Sequence, residues 1–311
     1  MSDSRFQSQS EFSIHPRTLI RDISLNVPNL DRQIAFYRDH LGFTLQSREG
    51  KQAVVGASAS GSAKAAPLLR LMEEASFKRY RGTAGLYHFA VLLPNRRELA
   101  RSIARLIALK YPNYPTDHIM TKTTYLEDPE GNGIELYAES PEDGTWSLAD
   151  GQYITRRADG TVSTGREPLD VEALLTHLMK EDRLDVPVPA ETRIGHVHWH
   201  VRDLDEAVAF YHGVLGFDLM GAAKAFKMAF VSAGGYHHHI GLNTWQGEGG
   251  PAAPPDALGL RHFTVLLPNQ EELERVVRRV HGHGTTAEKT DGGVLVRDPS
   301  HNGVMLSADA A

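Results

Sequence analysis

The sequence predicts an α+β chain of four strand–helix–strands units, and three observations carry that prediction. Val27-Pro-Asn-Leu-Asp-Arg-Gln-Ile-Ala-Phe-Tyr37, followed by Leu41-Gly-Phe43, returns 174 residues later as Val201-Arg-Asp-Leu-Asp-Glu-Ala-Val-Ala-Phe-Tyr211, followed by Leu215-Gly-Phe217. His88-Phe-Ala-Val-Leu-Leu-Pro-Asn95 returns as His262-Phe-Thr-Val-Leu-Leu-Pro-Asn269 at the same offset, and Asp128-Pro-Glu-Gly-Asn-Gly-Ile-Glu-Leu136 as Asp298-Pro-Ser-His-Asn-Gly-Val-Met-Leu306 at an offset of 170. Self-similarity at a fixed spacing marks an internal duplication. Each half restarts the order strand, helix, strands partway along, at Leu86 and again from 260, so the units number four.

Taken in order, residues 1 to 17 read as a loose leader. Ile23 to Val27 reads as a strand, Asn29 or Asp31 caps the helix that follows, and Gly42 stops it. Residues 57–66 are small and polar, a mobile loop by composition. The second unit opens at Leu86, with a helix from Glu98 to Lys110. Thr123 to Leu126 and Ile134 to Tyr137 are β-type runs, joined by the turn chemistry of Asp128-Pro129-Glu130-Gly131-Asn132-Gly133, which makes a hairpin. Residues 141–190 read as an insert, with Trp146, a β-like Gln152 to Thr155, a helix from Val171 to Lys180 behind the cap Asp170, and the stiff connector Pro187-Val188-Pro189. The repeat divides the chain into 17–140, the insert or linker 141–190, and 191–308.

Composition narrows the class of function. A hydrophobic share of 41% with 23% charged residues is that of an ordinary soluble globular protein. A net charge of -6 gives no basic footprint for nucleic acid. No apolar run approaches the length of a membrane span, and no hydrophobic signal core precedes the first strand. With no cysteine, disulfides and thiolate ligands are excluded, which fits a cytoplasmic protein using nitrogen and oxygen ligands.

The chemistry-bearing residues are histidines and one carboxylate. Glu135 lies mid-strand and points opposite to Ile134 and Leu136, a costly place for a carboxylate unless it is paired or bound to a metal. His196, His198 and His200 alternate strictly and share one face. His237, His238 and His239 are consecutive, and in a strand His237 and His239 would face away from His238. His88 opens an apolar strand, where a lone histidine is more often packed than functional. His177, His281 and His283 read as solvated. Imidazole with carboxylate and no thiolate suits a first-row divalent metal, and two His with one carboxylate is the set used by non-haem Fe(II) oxygenases.

The repeat resembles the vicinal oxygen chelate superfamily, through its strand–Asp-Leu–helix–Phe-Tyr–Leu-Gly-Phe openings and its Asp-Pro-Glu-Gly-Asn-Gly-Ile-Glu ending. That resemblance implies four βαβββ modules paired into two half-open barrels, the glyoxalase/extradiol dioxygenase fold, with a metal in a cleft. The stretch from Thr116 to Glu135 is similar to the extradiol ring-cleaving dioxygenase signature, with Thr116, His118, Tyr125, Asp128-Pro129, Gly131 and Glu135 in register. Thr124 departs from it, because the family prefers an aliphatic residue there. The two-half layout most resembles catechol 2,3-dioxygenases of the bacillus type and related hydroquinone dioxygenases.

The resemblance implies ligands from the first and last strands of two paired modules: Asp22 and a residue near Leu71, His88 and Glu135, His196 and His239, His262 and Met305. Pairing modules in sequence leaves neither half with two His and a carboxylate. Crossed pairing of the second module with the third assembles His88, Glu135 and His196. The implied metal is Fe(II), with Mn(II) as the alternative, and the implied substrates are an aromatic diol and O2, giving a semialdehyde. His239 is the implied acid/base, with His238 in its place if the register slips by one. Tyr125 would hydrogen-bond substrate, and His118 would lie over substrate or support Tyr125. The competing functions are a glyoxalase-like isomerase or lyase and a metal-free small-molecule binding protein. No nucleic-acid or membrane partner is implied, and open barrel edges suit a homo-oligomer.

Overall fold

A computed structural model describes residues 12–59, 65–149 and 152–309. Most of the leader and the middle of the small-residue loop, 60–64, lie outside the described residues. The first module comprises β1 (Leu19–Val27), α1 (Leu30–Asp39), β2 (Thr44–Glu49), β3 (Gln52–Gly56) and β4 (Pro67–Glu73). The second comprises β5 (Gly85–Leu92), α2 (Arg96–Ala108), β6 (Tyr114–Asp117), β7 (Thr121–Glu127) and β8 (Gly133–Glu139). The insert adds β9 (Gly144–Ala149), β10 (Gln152–Arg157), β11 (Val162–Ser163), β12 (Glu167–Pro168) and α3 (Val171–Leu175). The third module holds β13 (Arg193–His200), α4 (Leu204–Val208), β14 (Asp218–Ala223), β15 (Met228–Ser232) and β16 (Ile240–Asn243). The fourth holds β17 (Gly259–Leu267), α5 (Gln270–Gly282), β18 (Ala287–Thr290), β19 (Gly293–Arg297) and β20 (Gly303–Ala308).

The local elements follow their sequence signals. Asn29, Asn95 and Asn269 each accept from the backbone N–H three residues on, so α1, α2 and α5 begin on the same cap. Gly42 and Gly216 take φ of 75° and 86° just past their helices, a conformation that costs any side chain. The expected helix from Val171 to Lys180 is a single turn ending at Leu175. Asp182 takes the Met179 N–H at 2.8 Å and is itself clamped by Arg97 and Arg101 of α2, which turns the chain away.

The modules pair crosswise. One sheet runs β18-β19-β20-β17-β1-β4-β3-β2 and joins the first module to the fourth; the other runs β12-β6-β7-β8-β5-β13-β16-β15-β14 and joins the second to the third. β1 lies antiparallel to β17 and β5 antiparallel to β13, so the two sheets share one plan. Trp199 and Phe263 meet between them with ring centroids 4.9 Å apart, and both are fully buried. The Asp-Pro turns fasten the same seam. Asp128 accepts the Glu130 and Asn132 backbone N–H and the Asn132 amide, and also the hydroxyl of Tyr37 at 2.8 Å. Asp298 repeats the arrangement with Ser300, Asn302 and Tyr211 at 3.0 Å. Each bond runs from one sheet's helix to the other sheet's turn. Among the described residues no helix is long and apolar enough to cross a membrane.

Each sheet needs strands from both halves of the chain, so a fragment ending at residue 150 leaves β1 without β17 and β5 without β13. We expect fragments 1–150 and 151–311 to show no cooperative unfolding alone and to co-purify one to one when co-expressed. Cooperative urea unfolding of either fragment by itself would contradict this pairing.

Candidate metal centre

β5 is the central strand of the site. Register places Glu135 of β8 beside Ala90 on one side and His196 of β13 opposite Ala90 on the other. Two residues along β5, on the same face, stands His88. Ala90 is fully buried and small, which leaves room between the three longer side chains. The result is tight. His88 Nε2 and His196 Nε2 are each 3.2 Å from Glu135 Oε2 and 3.4 Å from one another.

A carboxylate only 3% exposed must be compensated. Burial pushes the Glu135 carboxyl up, but hydrogen bonds and charge from His196 and His88 outweigh it and hold it well below the usual carboxylate range. Burial likewise pushes the His196 imidazole down, the form in which it ligates metal. The spacing fits an ion: ligands about 2.1 Å from a common centre stand roughly 3.0 Å apart at right angles and roughly 3.4 Å apart in a tetrahedron. Without one, both imidazoles would have to direct N–H groups at a single oxygen. His196 Nδ1, His198 Nε2 and His238 Nδ1 are buried around the centre with no hydrogen-bond partner. Such orphans mark a place where water, ion or ligand belongs.

Among the described residues two groups could hold a metal: His88, Glu135 and His196, and a second of His196, His237 and His238. Residues 237–239 are not a strand, because β16 starts only at Ile240, so the expected alternation of faces does not apply. His238 stacks 4.2 Å from His196, centroid to centroid, and against Phe230 at 4.5 Å. His239 is turned into the backbone, its Nδ1 bonded to Ser232 Oγ at 2.9 Å and accepting the Ala233 N–H. Of the two histidines left open by the register, His238 is the one over the centre.

Tyr125 and His118 are brought together across the hairpin. His118 Nδ1 bonds the Gly165 carbonyl, which can only accept, so Nδ1 carries the proton. Nε2 then accepts from the Tyr125 hydroxyl at 2.8 Å. This fixes the phenol's direction and leaves its oxygen lone pairs free. Burial, with the charge of Glu135, pushes the Tyr125 hydroxyl well above its ordinary range, so it stays a neutral phenol. Ile119 makes the turn that returns His118, at a φ of 70°. The Tyr125 ring lies 5.6 Å from that of His88.

Three further residues shape the site. His198 and His200 are buried on the His196 face, with Tyr87 against both rings. Trp146, read as part of the insert with no role in the site, packs on Phe230 at 5.6 Å, so the insert walls the cleft. An aromatic in a polar insert was the available signal. Asp22, Leu71, His262 and Met305 all lie in the other sheet, away from this centre.

The family model for the Glyoxalase/Bleomycin resistance protein/Dioxygenase superfamily matches residues 19–136 and 193–306. A catechol-2,3-dioxygenase of Bacillus subtilis (strain 168) is 41% identical over 290 residues, 92% of this chain and 96% of that protein. Among solved structures, a putative dioxygenase from Bacillus subtilis subsp. subtilis str. 168 superposes with a TM-score of 0.62 at 13% identity, covering 96% of this chain and 87% of the other. Glyoxalase I from Zea mays does so with a TM-score of 0.53 at 16% identity, covering 93% and 92%. These two likenesses are of fold.

Burial holds the imidazoles of His200 and His239 down to about 4 and that of His237 to about 3. Each is neutral when folded and free to protonate near its ordinary value of about 6.5 when unfolded. Their contribution is complete above that value and is lost as pH falls toward 4, at on the order of 1 kcal/mol per pH unit for each histidine. The urea midpoint of the metal-free protein should therefore be lower at pH 5 than at pH 7. An equal midpoint at both would show that these imidazoles do not titrate on unfolding.

Proposed function

Because the chain belongs to the glyoxalase/bleomycin resistance protein/dioxygenase superfamily and is so close to a catechol-2,3-dioxygenase, we propose that it is a metal-dependent extradiol dioxygenase. It inserts both atoms of O2 into a catechol-type ring next to the diol. The product is a semialdehyde carrying a carboxylic acid, and no external reductant is needed. The observation that carries the reading is the His88–Glu135–His196 cluster, in which three donor atoms stand 3.2 to 3.4 Å apart. These residues would hold the metal, Fe(II) in preference to Mn(II). When bound, it supplies a Lewis acid for the ring oxygens and an electronic path to O2.

The remaining steps fall to the chain's own groups. His238 is buried, and burial first, then repulsion from His196 and His237, pushes its imidazole well below its ordinary value. It is therefore a neutral base whose Nδ1 has no partner. That nitrogen takes a proton from a ring hydroxyl and returns it to oxygen as the ring opens. Tyr125, whose O–H donates to His118 Nε2, accepts a hydrogen bond from substrate on its oxygen and orients it. Phe230 and Trp146 close the cleft and exclude water. The glyoxalase-like alternative calls for a site richer in carboxylate, and the metal-competent groups contain only Glu135. We also propose that 17–140 and 191–308 are the two copies of the duplication and 141–190 the insert.

Three variants separate these roles. Glu135→Ala should lower metal affinity by more than the roughly 10- to 100-fold that losing an outer partner costs, and should yield no yellow ring-opened product from catechol. Full metal content in that variant would remove Glu135 from the ligand set. His238→Asn should keep its metal and lose about 10² to 10⁴ in kcat, whereas His239→Asn should lower stability and leave kcat within a few-fold. The reverse pattern would return the acid/base role to His239.

A further inference from the structure

The half-barrel of the first and fourth modules repeats the register of the metal centre with different side chains. Ser24 lies opposite His262 as His198 lies opposite His88. Thr264 lies beside Met305 as Ala90 lies beside Glu135. Arg70 lies beside Ser24 as Gly241 lies beside His198. Two residues before Ser24, Asp22 takes the place of His196. A carboxylate, an imidazole and a thioether make a poor ion site, and Asp22 is already engaged. Its Oδ2 accepts from Arg21 Nε at 3.0 Å and Arg70 Nε at 3.1 Å, and its Oδ1 from Thr264 Oγ1 at 2.8 Å. Two guanidinium groups on one carboxylate leave positive charge in excess.

A separate set of arginines lies around His262, outside the Asp22 cluster. Arg261 and Arg297 both act on His262, whose imidazole is held down to about 4, first by burial and then by the repulsion of Arg261. Among the described residues the side chains of Arg261 and Arg81 form no hydrogen bond or ion pair, and the side chain of Arg297 bonds only the His301 carbonyl. All three line one cleft of about 1120 Å³, which His262 also lines. Its carboxylates are Glu74, Glu127 and Glu130, and Glu130 is taken by Arg32 at 3.1 Å. The volume suits a small-molecule site. Phe77, Leu86, Leu260 and Leu295 offer apolar surface for an organic body, and a guanidinium fork matches a carboxylate in two parallel hydrogen bonds.

We propose that this cleft is a second binding site, for a small organic carboxylate held by Arg261, Arg297 and Arg81. Binding there requires no turnover at the metal centre, so the inference stands apart from the proposed reaction, although that reaction's acidic product belongs to the same chemical class.

The test is calorimetric titration of the metal-loaded protein at low salt with muconate, an acyclic dicarboxylate, and separately with inorganic phosphate. We expect muconate to bind one to one and phosphate to bind roughly tenfold more weakly or worse. The double variant Arg261→Gln/Arg297→Gln should lose roughly tenfold or more in muconate affinity while cleaving catechol at the wild-type rate, which shows that it is folded. Glu135→Ala should bind muconate as the wild type does. Absence of binding, phosphate bound as tightly, a double variant that keeps its affinity, or affinity lost in Glu135→Ala would each overturn the proposal. Failure of the wild type to cleave any catechol would count against the proposed reaction alone.

Discussion

The hydrogen-bonded ladder between β5 and β13 is the interaction on which the rest of the structure depends. It brings residues 88 and 196 side by side and, through the parallel pairing of β5 with β8, places Glu135 across Ala90 from His196. A slip of one residue would turn His196 to the opposite face and bring Val197 or Gly195 toward the cleft. Register is therefore a chemical constraint as much as a structural one. It is fixed from the other face, where Ile194, Val197 and Trp199 are buried in the common core. Tyr137 sets it again, since a Cβ on Gly195 would fall 1.7 Å from the Tyr137 hydroxyl.

One scaffold thus carries two centres of different charge. In the second and third modules a carboxylate meets two imidazoles, a set short of positive charge that the proposed divalent ion would complete. In the first and fourth, two guanidinium groups meet one carboxylate, and the charge is already supplied by the chain. The turn motif common to both, Asp128 with Tyr37 and Asp298 with Tyr211, serves neither centre and ties the sheets together. Repetition in the sequence follows what holds the fold, and divergence falls on the side chains that face the clefts.

This division explains what could be read from the sequence. Strands, caps and the duplication were legible because they rest on local signals: Asn29 and Asn95 at helix starts, Gly42 at a stop, and Asp128-Pro129 with Gly131 at a turn. The grouping of His88, Glu135 and His196 was legible through the family resemblance, which named the candidate positions, and through the chemistry of the set, which chose the crossed pairing of strands more than a hundred residues apart. The aim of His238 was not legible. Residues 237–239 leave the strand, and period-two alternation says nothing of side chains outside one. The short α3 escaped for a similar reason, because its end is set by the tertiary clamp of Asp182 on Arg97 and Arg101. The capping of the cleft by Trp146 likewise depends on where the insert folds back.

Anomalous diffraction at the iron edge from crystals of the Fe(II)-loaded protein tests the central claim most directly. The account predicts one strong peak per chain, within bonding distance of His88 Nε2, His196 Nε2 and a Glu135 carboxylate oxygen. A peak among His196, His237 and His238, the other group able to hold an ion, or no peak between β5, β8 and β13, would contradict it.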